Sequence, residues 1–454
     1  MIKRVIASIQ QMVNGKGIID ENIDIVGVST DSRNIQKGNL FIPLVGENFN
    51  GHQFVEKAFE NGAAASLWSV NEPNPPKDKA IIYVDDTLLA LQKLAEEYLR
   101  EVNPTVIGIT GSNGKTTTKD LVASVLSTKY QVHKTKGNFN NHIGLPLTIL
   151  SMPEETEVAV LEMGMSGRGE IERLSSIAKP DIAIITNIGE AHLKELGSRE
   201  AISEAKLEII SGLKENGTFI YHGDEPLLNK HPYTFKTKTF GESKNNDLYP
   251  ISIMQKGNGI EFTVNQHNNQ KLYLPILGRH NVLNSLAAIL TGQLLDLSFD
   301  DIEKGLKNVQ LSNMRLEIVK GKSGLTVIND AYNASPSSMK AAIQLVRDMN
   351  GYGQKILVLG DMLELGEKEA EFHQEVGKTI EDADIDHLFT YGKLGEEIAN
   401  GAKSVMDKKH IHVFSDKQSL IKELGSIVTP NDLVLVKASR GMKLEEVVHA
   451  LVEM

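Results

Sequence analysis

The chain has 454 residues, 41% of them hydrophobic and 24% charged, with a formal net charge of −11 at pH 7 and no cysteine. That length exceeds one ordinary core and points to about three domains of ~150 residues each in a soluble globular chain. The acidic balance argues against a nucleic-acid partner, and the missing cysteines exclude disulfides, thiolate nucleophiles and Cys-based zinc sites. The apolar run in Met1-IKRVIASIQQMV is too short for a signal peptide, and no stretch approaches ~18 uninterrupted apolar residues, so no membrane insertion is expected. A cytoplasmic enzyme is the default.

Residues 1–102 mix short strands (Ile25-VGVS, Asn39-LFIPLVG, Ala80-IIYVD) with helical stretches such as His52–Asn61. Leu88–Glu101 reads as an amphipathic helix that Asn103-Pro104 ends. Across residues 103–312 the apolar runs Val106-IGIT, Val158-AVLEM, Asp181-IAIITN and Gly217-TFIYH alternate with helical patterns, the mark of a parallel sheet covered on both faces. Leu248-YPISI, Gly259-IEFTV and Gln270-KLYLPI break that rhythm and predict an antiparallel insertion before a helix starting near His280. Across residues 313–454 the alternation restarts with Gly324-LTVIND, Gln354-KILVLGD, Asp386-HLFTYG, His410-IHVF and Asp432-LVLVK. Ser335-Pro336 supplies an N-cap and an N1 proline for one of the helices between them. The expected fold class is α/β in three domains. A small mixed domain comes first, then a central doubly wound parallel sheet with the antiparallel insertion, then a second, smaller Rossmann-like sheet.

One loop carries the strongest chemical signal. The usual phosphate loop is G-x-x-x-x-G-K-[ST], and its first glycine would fall at position 109, which is Ile109. Gly111 takes over in Gly111-Ser112-Asn113-Gly114-Lys115-Thr116-Thr117. Glycines let backbone amides converge on phosphate oxygens at a helix start, Lys115 adds a point charge, and the Thr116 hydroxyl can ligate magnesium. The helix dipole supplies only ~0.3–1 kcal/mol, so amides, lysine and metal must act together. Motors, kinases, switches and ligases all use such a loop. The N-K-x-D base reader of GTP switches is missing here.

Three neighbours narrow the choice. Glu162 ends the run Val158-AVLE, and an acid at the carboxyl end of a sheet strand lies beside a phosphate site, within reach of magnesium. His192 follows the run Ile182-AIITNIGEAHL, although a lone histidine is more often packing or surface. Lys206 lies in a predicted helix over Arg199–Leu213 with the apolar stripe Ile202, Ala205, Ile209 and Leu213, and alone it reads as a solvated lysine.

Together the stretches Gly111-SNGKTT, Lys136-GNFNNHIGLPLT, Leu161-EMG, Asn187-IGEAHL, Gly278-RHNVLNSLAA, Met314-RLE and Asn329-DAYNASPSSM resemble the Mur ligases, ATP-dependent amide-forming enzymes of cell-wall precursor assembly. They run in the expected order from about residue 28 to 445. Asp330-AYNASPSSM followed by Leu359-GDMLELG is similar to the members that join D-alanyl-D-alanine to a UDP-N-acetylmuramoyl-tripeptide. The enzyme that adds the third peptide residue carries instead an Asp-Tyr-Ala-His-type stretch and a D-N-P-R signature, and neither is present.

The resemblance implies roles. Thr116 and Glu162 would hold one magnesium ion, His192 a second, and Lys206 would be carried as a carbamate. A lysine of pKa ~10.4 is a cation that repels metal, whereas its carbon dioxide adduct is an anionic oxygen ligand. Asn281 and Asn284, spaced i, i+3 on one helix face, match the adenine-side motif. They can equally cap a helix N-terminus. Arg315 and Asp330 would contact nucleotide from the last domain, with Asn333 and Asp361 facing the dipeptide. Ser32 and Arg33 in the first domain would hold the UDP-muramoyl substrate, since Arg suits bidentate phosphate contact, although a surface turn with an exposed Arg reads as well. Asn138 and Asn141 would touch it from the central domain. The implied cofactors are ATP as substrate and two Mg2+ ions. A monomer with small-molecule partners is expected. Two rivals stand beside this: a folylpolyglutamate-synthase-like or cyanophycin-type ligase, which lacks the Asp31-Ser32-Arg33 region, and a phosphate-loop ATPase that does conformational work.

Overall fold

The structure, a computed structural model, describes residues 1–17, 22–267, 270–380 and 384–454. In the first region four short parallel strands, β1 (Val28–Ser29), β2 (Leu40–Phe41), β3 (Ala65–Ser69) and β4 (Ile81–Val84), form one sheet. The stretch around His52 starts as a 3-10 turn, Gly51–Phe54, and becomes α-helical only over Val55–Glu60. The predicted amphipathic helix is α1 (Thr87–Val102). Asp86 caps its start by accepting from Leu89 N, and Asn103 ends it in a left-handed conformation.

The central sheet holds β5 (Thr105–Thr110), β6 (Val132–Lys134), β7 (Val158–Glu162), β8 (Ile182–Ile185), β9 (Thr218–His222) and β10 (Lys236–Phe240), in the order β6-β7-β5-β8-β9-β10, all parallel. The four central strands are buried along their length and match the apolar runs. The two edges, Val-His-Lys and Lys-Thr-Lys-Thr-Phe, escape the pattern because edge strands are kept short and charged against pairing with other chains. Helix α2 (Lys115–Leu126) follows the phosphate loop. Helix α3 (Arg199–Leu207) ends earlier than its apolar stripe predicts and tightens into a 3-10 segment, Glu208–Gly212. There a Cβ on Gly212 would lie 2.2 Å from Ser175 O, so the chain hugs the helix Glu170–Ala178. The insertion is an antiparallel meander, β11 (Pro250–Lys256), β12 (Gly259–Val264) and β13 (Leu272–Leu274). Helices α4 (His280–Leu294) and α5 (Phe299–Lys307) complete the region.

The last sheet runs β14-β15-β19-β16-β17-β18, from β14 (Glu317–Lys320), β15 (Thr326–Asp330), β16 (Lys355–Gly360), β17 (His387–Tyr391), β18 (Ile411–Phe414) and β19 (Leu433–Lys437). Its strands are parallel except β14, which pairs antiparallel with β15. With six strands it equals the central sheet, and β14 corrects the expectation of a smaller one. Helix α6 (Pro336–Asp348) carries the predicted Ser335 cap and N1 proline, within a full capping box. Helices α7 (Glu369–Gly377) and α8 (Gly395–Ala402) follow.

Packing divides the molecule unevenly. One continuous apolar cluster joins Ile2, Ile6, Leu91 and Leu94 of the first region to Leu145, Ile149, Leu161 and Ile202 of the central one. Tyr98 Oη donates to Met152 O at 2.7 Å and Gln92 Nε2 to His142 O at 2.8 Å across the same seam. The clusters of the last region close on themselves, with Leu277 the one buried side chain drawn from outside it among the described residues. The linker into that region is tied back to α2. Buried Asp120 accepts from Ser312 N and Ser312 Oγ, both at 2.9 Å, and from Lys134 Nζ at 2.6 Å, with Lys119 Nζ 3.3 Å away. Among the described residues no helix is long and apolar enough to cross a membrane.

Candidate active site

The phosphate loop hangs between the tips of β5 and β8. Ser112 N donates to Asn187 O and Asn113 N to Asn187 Oδ1, both at 3.0 Å. Thr186 Oγ1 donates to Asn113 O at 2.6 Å, and Gly189 N to Ser112 Oγ at 2.8 Å. Two glycines are required. Gly111 has φ +148° and a Cβ there would lie 1.9 Å from Thr186 Oγ1, while Gly114 (φ +79°) would meet Asn284 Oδ1 at 2.6 Å. Lys115 opens α2 and donates Nζ to Gly111 O at 2.8 Å. Burial lowers its pKa, and nearby Arg315 adds to that against the pull of Glu162.

A cavity of about 540 Å³ opens over this loop. Of the residues expected at the site, Ser112, Asn113, Gly114, Lys115, Thr116, Thr117, Glu162, Asn281, Asn284, Arg315, Asp330 and Asn333 line it. Gly111, His192 and Lys206 do not line it. Arg315, Asp330 and Asn333 come from the last region, so two domains share the cavity. Arg315 stacks its guanidinium 4.4 Å over the Tyr332 ring. Asp330 Oδ2 accepts from Lys437 Nζ at 2.6 Å, and Oδ1 from Leu316 N at 3.2 Å. Asn281 and Asn284 share a face as expected, but Asn281 Nδ2 donates to Leu277 O (2.7 Å) and Asn284 Nδ2 to Asn281 Oδ1 (2.9 Å). These bonds stay at the start of α4, and Asn284 packs closely against Gly114.

Glu162 is 2% exposed; Oε1 accepts from Asn140 Nδ2 at 2.8 Å, and the buried Oε2 has no partner. His192 takes φ +65°, and burial, then Lys115 and Lys206, push its pKa down to about 4. Its Nδ1 is 2.9 Å from Glu364 Oε2, yet that oxygen lies out of line with the ring N–H, so Nδ1 has no hydrogen bond. For a ring held neutral we read this as contact, not an ion pair. Lys206 corrects its reading as a solvated lysine: it is 1% exposed, and burial first and Lys115 second push its pKa well below the ordinary lysine value, with no acid opposing them. An ammonium fits poorly there.

Those facts test the donor set for divalent metal. An unpartnered buried carboxylate oxygen, a buried Thr116 hydroxyl, a neutral imidazole and a buried amine able to become an anion together suit magnesium. A metal bound there would require Lys206 to lose its proton.

The remaining expected residues lie away from the cavity. Arg33, 86% exposed, pairs bidentately with Asp31 at 2.9 Å on both arms and holds the Asp31 carboxyl down to about 2. Ser32 is buried in the turn between them. Asn138 is exposed, and Asn141 Oδ1 caps the helix Gly144–Leu150 by accepting from Gly144 N at 2.8 Å. Asp361 Oδ1 accepts from Leu394 N (3.0 Å) and Gly395 N (2.7 Å) and so caps α8 from within the last domain. Sequence reasoning passed over Asn140, Thr186, Asn187, Tyr332 and Lys437. Lys437 ends β19, the same strand-tip position that singled out Glu162, and Asn140 lies between the two asparagines chosen.

Three family models match this chain in order: the Mur ligase family catalytic domain over residues 24–99, the Mur ligase middle domain over 109–292, and the Mur ligase glutamate ligase domain over 314–440. The chain belongs to the Mur ligase family. This Mur ligase is 55% identical, over all of its length and 99% of the relative, to the UDP-N-acetylmuramoyl-tripeptide--D-alanyl-D-alanine ligase of Bacillus subtilis. The Escherichia coli protein of the same name is 35% identical over 100% of this chain and 99% of its own. Among solved structures, MurF from Acinetobacter baumannii superposes with a TM-score of 0.89 at 30% identity, covering 100% and 99% of the two chains. MurF of Thermotoga maritima in complex with ADP gives 0.83 at 32% identity, covering 94% and 96%. The folylpolyglutamate synthase of Mycobacterium tuberculosis, at 16% identity and a TM-score of 0.62, shares the fold alone.

Proposed function

We propose that this Mur ligase joins D-alanyl-D-alanine to UDP-N-acetylmuramoyl-tripeptide at the expense of ATP, giving the UDP-muramoyl-pentapeptide, ADP and phosphate. The observation that carries this is the shared cavity, with the phosphate loop as one wall and Arg315, Asp330 and Asn333 of the last domain as the other. The tripeptide carboxylate attacks the γ-phosphorus of ATP, the bond to ADP breaks, and an acyl phosphate forms. The dipeptide amine then attacks the acyl carbon; the tetrahedral adduct loses phosphate and the nitrogen loses a proton, leaving an amide.

A carboxylate and a triphosphate repel each other, so the chain must supply positive charge between them. Lys115 does so from the start of α2, and the loop amides add their dipoles. Thr116, Glu162, His192 and Lys206 as a carbamate would hold two magnesium ions, which bring charge neutralisation at the phosphates. Asn140 orients Glu162 so that Oε2 stays available. The depressed pKa of Lys206 supplies the neutral amine that carbon dioxide needs, and the carbamate, an anion, would face Lys115 instead of repelling it. Gly111 to Thr117 cradle phosphate, Asn281 and Asn284 lie on the base side, and Arg315 and Asp330 meet nucleotide from across the cavity.

Residues 1–102 hold the UDP-muramoyl end through Ser32 and Arg33, 103–312 bind ATP, and 313–454 close over it and receive the dipeptide near Asn333. Asn138 and Asn141 guide the tripeptide. Asp361 supports the dipeptide side by fixing the α8 start. The enzyme is taken as a cytoplasmic monomer. The test is phosphate release: it should require ATP, tripeptide and dipeptide together. Turnover of ATP with neither co-substrate would favour the conformational ATPase instead.

A further inference from the structure

Asn113 faces two domains. Its main chain belongs to the central one, donating N to Asn187 Oδ1 and accepting from Thr186 Oγ1 and, at 2.9 Å, Asn187 Nδ2. Its side chain crosses to the other. Nδ2 donates to Ser337 Oγ and Oδ1 accepts from Ser335 Oγ, both at 3.2 Å. Ser337 Oγ then donates to Glu190 Oε2 at 2.9 Å, on the segment after β8 that also carries Asn187. Ser335 is the cap of α6, so its hydroxyl fixes the first turn of that helix as well. The phosphate loop and the segment beside it are thus both joined to one helix start. Since the apolar clusters of the last domain close almost entirely on themselves, polar contacts such as these hold this face of the seam.

We propose that Asn113, Ser335, Ser337 and Glu190 form a latch through which a correctly set phosphate loop holds the C-terminal domain shut. Ser337 is then a positioning residue for closure, acting through Asn113 and Glu190. Asn113 couples the two events because one residue cannot move its backbone with the loop and leave its carboxamide behind. A loop displaced by mispositioned phosphates drags the carboxamide off both serines. This rests on the ligase reading only for which substrates use the closed state.

The full chain has no cysteine, so exposed Glu215→Cys and Lys422→Cys can carry a donor–acceptor pair reporting the distance between the two domains. Measured at saturating ADP with Mg2+, Ser337→Ala should lower the closed-to-open ratio about tenfold, the ~1.4 kcal/mol equivalent of two weak hydrogen bonds. The kcat/KM for D-alanyl-D-alanine should fall by the same factor, with the thermal midpoint unchanged. Ser337→Thr, which keeps the hydroxyl, should recover both. An unchanged closed-to-open ratio in Ser337→Ala at saturating ADP overturns the latch, whatever the activity does. Failure of Ser337→Thr to recover the ratio overturns it too. Closure that depends on Ser337 in a wild-type chain that never ligates the dipeptide would sink the ligase assignment and leave the latch standing.

Discussion

Gly111→Ala probes the phosphate loop most directly. At φ +148° the added Cβ would lie 1.9 Å from Thr186 Oγ1, 3.1 Å from Thr186 Cβ and 3.2 Å from Thr186 N. The conformation itself, nearly closed to other residues, costs about 1–3 kcal/mol. Relieving the overlap means turning away the Thr186 hydroxyl, which donates to Asn113 O at 2.6 Å, at a further ~1 kcal/mol. The sum, about 2–4 kcal/mol, predicts a ~30–1000-fold loss of ADP affinity by calorimetry in Mg2+. Thr186→Ala removes the clashing oxygen, so the two changes should not add. Alone it should weaken binding about fivefold, the cost of one hydrogen bond; in the Gly111→Ala background it should be neutral or helpful. A Gly111→Ala chain binding within threefold of wild type, or two effects that multiply, would refute this account.

Three further outcomes are expected. Asp120→Ala leaves Lys119, 1% exposed, without its counter-charge, a loss of ~3–5 kcal/mol that should drop the thermal midpoint by about 6 °C or more; a shift under about 2 °C would show the charges already compensated. His373 is buried with Nε2 accepting from Met362 N at 2.8 Å, and burial lowers its pKa. The unfolded chain therefore takes up a proton that the folded one resists, so this contribution is whole above pH ~6.5 and lost as pH falls below it. His373→Gln should show a flatter decline in urea stability from pH 7 to 5, and parallel declines would remove His373 from the account. Lys206→Ala should lower turnover about 10²–10³-fold, and the wild-type chain in 13C-bicarbonate should show a carbamate resonance that the variant lacks; undiminished activity without added short acids would exclude the carbamate.

Apolar periodicity revealed the inner strands because they are buried on both faces. Edge strands β6, β10 and β14 stayed hidden, since charge there protects the sheet and erases the pattern. The phosphate loop was readable because glycine, lysine and hydroxyl are each needed at fixed offsets within one short stretch. Lys206 was not, because its own stretch has the amphipathic pattern of a surface helix, whereas the folded residue is 1% exposed. Short amides and acids were hardest. Asn140 holds Glu162 whereas its neighbour Asn141 caps a helix, and Asp361 caps α8, because such side chains serve local backbone as readily as ligands. Arg33 sits at the expected turn but is engaged by Asp31, a pairing that adjacency in sequence suggests and cannot establish.

The apolar cluster running from Ile2 through Leu94 to Ile202 decides how the protein can be dissected. A truncation after residue 102 would bare one half of a single interior on each fragment, so neither piece should express as a tractable protein. Severing the chain near residue 313 frees a unit whose interior is nearly its own. The tail alone is the fragment to refold, isotope-label and titrate with dipeptide.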